Sequence, residues 1–169
     1  MSVLRFLGIG RQESQEGETE TVRRIAGQLA RLPPETAKFL AAFAYVLARI
    51  AHADLEIDAS ETAEMEKIVR QLADLEEAEA ALVVQIAQSQ TLLLGGTENY
   101  VVTREFRKVA TPAQRGKLLQ CLYAVAAADG RISAEESREI ANIGEELGFT
   151  RPEINSLRAA YRDKLAEFQ

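Results

Sequence analysis

The stretch AAADGRISAEE, residues 126–136, decides how this chain is read. An apolar run leads into it, an Asp-Gly pair interrupts the run, and Ser133 then opens a new amphipathic pattern. Gly130 can take the left-handed conformation that closes a helix. Ser133 with Glu136 three residues on is a capping box. The Ser oxygen accepts from a first-turn N–H, and the Glu reaches back to the Ser N–H. The stretch therefore predicts a helix, a tight turn and a second helix.

A close copy, AHADLEIDASE, stands at residues 51–61. Shifted by 75 residues, 47–72 matches 122–147 at ten positions, including Asp54/Asp129, Ile57/Ile132, Glu61/Glu136 and Glu64/Glu139. In the first copy Asp58 takes the cap position, and Leu55 stands where the second has Gly130. A lone helical hairpin cannot bury its apolar faces. The duplication predicts two hairpins around a shared core, related by a pseudo-twofold axis.

The rest of the chain carries the same helical period. Helices are expected over about 20–31, from Pro34 to about 53, from Asp58 to about 72 and over about 76–93. Gly95–Asn99 reads as a turn, followed by helices over about 100–109, 112–128, 134–147 and 152–167. No segment alternates as a strand does. The predicted class is all-α: one compact domain of about seven or eight helices over 20–169, after a flexible segment at 1–19.

Composition narrows the function. The 169 residues carry 20 Lys+Arg against 26 Asp+Glu, a formal net charge of −6. Nonspecific nucleic-acid binding draws its affinity from positive charge, so no nucleic-acid partner is expected. With one Cys and one His, neither an intrachain disulfide nor a single-chain zinc site can form. The apolar run Phe39–Ala48 stops at Arg49, well short of a membrane span. The apolar patch at 1–10 is expected to dock on the body or stay disordered, and would give at most a weak membrane contact. A cytoplasmic protein, at most peripheral at the inner membrane, is the expectation.

The acidic turns admit two readings. As structure, they need no ligand: Asp58 and Ser133 cap helices, and Glu61, Glu64, Glu136 and Glu139 sit near helix N-termini, where the dipole favours negative charge. An EF-hand is excluded. Its loop needs oxygen ligands two and four residues ahead of the Asp before the Gly, and Ala127 and Val125 hold those places. As a binding surface, Asp54, Glu61 and Glu64 in one copy and Asp129, Glu136 and Glu139 in the other offer oxygen-only ligands. Such a set suits Ca²⁺, Mg²⁺ or Mn²⁺.

The repeated A-D-x-x-I-x-A-x-E turns resemble those of the TerB-like, tellurite-resistance-associated family. Tyr100–Arg107, Thr111–Arg115, Leu118–Gly130 and the helix ending Ile143–Gly148 carry the likeness further, to about 35–165 in all. A related module occurs in a membrane-anchored DnaJ-like co-chaperone. The resemblance implies an all-helical, pseudo-symmetric domain with acidic residues on one surface. It also implies a link to metal-ion stress and no established catalytic activity. Carried over by matching residues, Asp54, Glu61, Asp129 and Glu136 become a candidate cation or partner surface.

Other features read as structure. Cys121 aligns with Val46 and occupies an apolar helix position, which makes it an inert buried thiol. His52 lies near a helix C-terminus, close to Asp54. Arg104, Arg107, Lys108, Arg115 and Lys117 form a basic cluster, read as a solvated face or as a contact for an acidic partner, including a second copy of the chain. No motif supplies a nucleophile, a base and oxyanion donors together, so no enzyme is expected. The leading expectation is a non-enzymatic module that binds a divalent cation or a basic protein at the paired turns, in tellurite, metal or envelope stress. The competing expectation is a protein-interaction adaptor whose acidic turns only cap helices.

Overall fold

The computed structural model of the chain describes residues 20–51, 59–89, 96–128 and 130–165. Among them stand eight α-helices: α1 (Glu20–Ala30), α2 (Pro34–Ala51), α3 (Ala59–Ala73), α4 (Glu77–Ser89), α5 (Gly96–Val109), α6 (Pro112–Ala126), α7 (Ala134–Glu146) and α8 (Arg151–Ala159). A 3₁₀ turn, Arg162–Lys164, follows. The described residues form no strand, and the all-α expectation holds.

Helix α2 is the axis of the core. Residues 40–48 are all buried, the pattern of a helix surrounded by protein on every side. Pro34 opens it, where a missing N–H and a fixed φ suit the first helical position. It packs against α4, α5, α6 and α7, while α3 packs against α4 and α6. The second helix of each copy thus meets the first helix of the other: α3 with α6, α7 with α2. Phe39, Phe43 and Phe106 form a ring cluster between α2 and α5, with centroids 5.4–6.0 Å apart. Pairs at such spacings add about 0.5–1.5 kcal/mol to the area they bury.

Local chemistry sets the helix ends. Thr111, Ser133 and Thr150 each make a complete capping box, with Gln114, Glu136 and Glu153 as the returning side chains. Gly130 adopts φ +92°, as the turn requires. After α7, Gly148 adopts φ +93°, its N–H donates to Glu145 and the Phe149 N–H donates to Gly144. That pair of bonds is a Schellman ending.

Two boundaries differ from expectation. Helix α5 begins at Gly96, inside the stretch expected to be a turn. Glycine is tolerated at a helix start, and the acidic Glu98 favours the first turn. Helix α8 ends at Ala159 rather than near 167. The chain then turns back, and Leu165 forms an isolated parallel bridge with Ile132.

That return makes a strap across the α6–α7 turn. The Ile132 N–H donates to the Lys164 carbonyl at 2.7 Å, and both Ile132 and Leu165 are buried. The Tyr161 ring stacks on Tyr123, centroids 5.7 Å apart and planes at 17°. Burying Leu165 contributes about 1.5–3 kcal/mol and the backbone bond about 0.5–1.5 kcal/mol. The Tyr123 hydroxyl is buried with no hydrogen-bond partner among the described residues. Such an unsatisfied group costs about 1–3 kcal/mol.

Candidate acidic site at the helical turns

The site is built on the start of α7. The Ser133 N–H donates to Glu136 Oε2 at 2.7 Å, and the Glu136 N–H donates to Ser133 Oγ at 3.0 Å. Glu136 is therefore fixed through one carboxylate oxygen. Glu139 lies one helical turn further along. Its Oε1 accepts from Arg49 Nε at 2.9 Å and from Arg49 Nη2 at 2.5 Å.

Arg49 makes a three-way junction. Its Nη1 donates to Glu146 Oε2 at 2.7 Å and to Thr103 Oγ1 at 2.9 Å. The arginine thus ties α2 to α5 and α7. Its side chain is only 7% exposed, against 36% for Glu139 and 20% for Glu146. Burial opposes its charge, but the bonds to Glu146 and Glu139 outweigh that and hold its pKa above the ordinary value. A guanidinium suits this place because its planar fork can engage several acceptors at once.

The two copies differ here. In the alignment Arg49 corresponds to Ala124, and Glu139 corresponds to Glu64. Glu139 is clasped by arginine, whereas Glu64 is exposed on α3.

Of the six expected site residues, the structure places Glu136 and Glu139 together on α7 and Glu64 on α3. Asp54, Asp129 and the side chain of Glu61 lie outside the described residues, as does His52. No group of three or more possible metal ligands occurs among the described residues. Sequence reasoning missed Arg49, which it treated only as the end of an apolar run. The available signal was the charge that ends the run Phe39–Ala48, apolar on all faces, with Glu139 and Glu146 seven residues apart on a later helix.

The basic cluster is largely engaged within the molecule. Lys108 pairs with Glu105, Lys117 with Asp74, and Arg115 donates from Nη1 to the Leu147 carbonyl at 3.0 Å. Arg107 lies against Gly148, where an added Cβ would stand 2.9 Å from its Nη2. Cys121 is wholly buried, and burial pushes its thiol pKa up to about 12. The sequence expectation of a buried thiol is met. No helix among the described residues is long and apolar enough to cross a membrane.

Comparison with known families matches residues 39–159 to the family described as Tellurite resistance protein TerB. No curated protein and no solved structure matches the chain. The matched stretch holds α3–α8 whole and most of α2, including Arg49 and both acidic turns, and covers well over half of the 169 residues. The all-helical fold and this match agree: the chain belongs to the TerB family.

Proposed function

We propose that this TerB-family chain is a non-catalytic module in tellurite-related stress, and that its second acidic turn docks a basic segment of a partner protein. The observation that carries this reading is the employment of the α7 carboxylates. Glu136 already serves the Ser133 cap and Glu139 already holds Arg49, each through one oxygen. A Ca²⁺ ion needs about six to eight oxygen ligands. A partner lysine or arginine needs only one or two, which partly engaged carboxylates can still give. The buried guanidinium beside Glu139 also repels a divalent ion more than it repels a mobile, singly charged side chain.

A second reading keeps a divalent cation at the turns. It is favoured by the fixed spacing of Glu136 and Glu139, one helical turn apart and held by independent partners. Preorganised oxygens lower the ordering cost of a metal site.

Thermal melts separate the two. A ligand that binds only the folded chain stabilises it by about 2.7 kcal/mol when present at 100 times its Kd. The docking reading expects a short oligolysine peptide to raise the melting temperature at low salt, and Ca²⁺, Mg²⁺ and Mn²⁺ at millimolar concentration to leave it unchanged. A rise with one of the three ions that is abolished by Asp129→Asn with Glu136→Gln would establish the cation reading instead.

A further inference from the structure

We infer that residues 161–165 are a releasable strap that sets how the chain enters α7, and with it the placement of Glu136. The strap meets the turn at Ile132, the residue immediately before the Ser133 cap. The Ile132 N–H has its acceptor in the strap, the Lys164 carbonyl, and its side chain is covered together with Leu165. Nothing in α6 or α7 replaces that backbone bond, so the turn is completed by a segment 33 residues away.

Little of the strap is buried. Only Leu165 is fully buried; Tyr161 is half-buried, and Arg162 and Asp163 are exposed. The Tyr161 ring of the strap stacks on Tyr123, whose hydroxyl is buried without a partner among the described residues. Segments with few buried contacts open at lower free energy than the core around them. The family match ends at Ala159, so the strap lies just beyond the matched module.

A two-state strap provides control of the acidic turn. Closed, it holds Ile132 and the entrance to α7; open, it leaves the capping box to hold Glu136 alone. Anything that grips residues 161–165 would shift the turn between these forms by its preference for one of them. The opening itself stands apart from the docking reading; only its consequence for a partner rests on that reading.

Amide hydrogen exchange of the full chain tests this. In Leu165→Ala and in Tyr161→Ala, the Ile132 amide is expected to exchange at least tenfold faster than in the unmodified chain. Amides in the middle of α2 and α6, such as Phe43 and Leu122, should keep their rates. Two results would overturn the inference. One is unchanged Ile132 protection in both variants, and the other is equal acceleration at Ile132, Phe43 and Leu122, which would make the strap part of the global core. If Leu165→Ala fails to fold, Tyr161→Ala and the unmodified chain still decide it. Ile132 must then exchange faster than Phe43 and Leu122 in the unmodified chain, and faster again in Tyr161→Ala.

Discussion

Arg49 on α2 donates through Nε and Nη2 to a single oxygen of Glu139 on α7, while its Nη1 reaches Glu146 and Thr103. This junction binds the first helix of one copy to the second helix of the other. Arg49→Met leaves two carboxylates facing each other with no cation between them. We expect a loss of about 2–3 kcal/mol, below the range for a fully buried pair because both carboxylates retain some water. Arg49→Lys should recover only part of it, since one ammonium cannot reproduce the fork. Urea denaturation of the three proteins measures both effects.

The α7 cap separates structure from charge. Ser133→Ala removes the acceptor for the Glu136 N–H and should cost about 1 kcal/mol. Glu136→Gln should cost much less, because Gln114 already performs the same return bond at Thr111. Chemical denaturation at neutral pH checks the difference. Near-equal losses for the two variants would mean that the Glu136 charge itself stabilises the helix.

Gly144 and Gly130 make a contrasting pair. A Cβ on Gly144 would come within 2.9 Å of Ile154 on α8, so Gly144→Ala must push α8 away and should cost about 1–3 kcal/mol. A Cβ on Gly130 meets nothing within 4 Å. Its φ of +92° still makes Gly130→Ala unfavourable, by about 1 kcal/mol from backbone conformation alone. Melting temperatures of the two variants rank the effects, with Gly144→Ala the lower.

Cys121 should be silent. With the thiol wholly buried and its pKa pushed up to about 12, the thiolate population at neutral pH is negligible. A colourimetric thiol reagent is expected to react with the folded chain no faster than the chain unfolds, and at once in concentrated urea. Fast reaction of the folded protein would place Cys121 at the surface.

The sequence made the helices legible because both of their signals are local. Apolar residues recur at helical spacing, and Thr111, Ser133 and Thr150 stand three residues ahead of a Gln or Glu. Long-range partnerships left no such trace. The strap depends on Ile132 and Leu165 meeting across 33 residues, and helical periodicity alone ran α8 straight through Tyr161. Arg49 was hidden for the same reason. Its partners Glu139 and Glu146 stand 90 and 97 residues away, and only the crossing of α2 and α7 joins them. At the acidic turns, the cap role of Glu136 could be read in advance, while the clasp on Glu139 could not.

The central claim, that the second acidic turn receives a basic partner segment, is tested most directly by titrating the chain with a fluorescent oligolysine peptide across a salt series. Binding is expected to weaken steadily as salt rises and to drop at least tenfold in Asp129→Asn with Glu136→Gln, a doubly substituted chain that keeps its melting temperature within a few degrees. Equal affinity for the original and substituted chains at every salt concentration would contradict it.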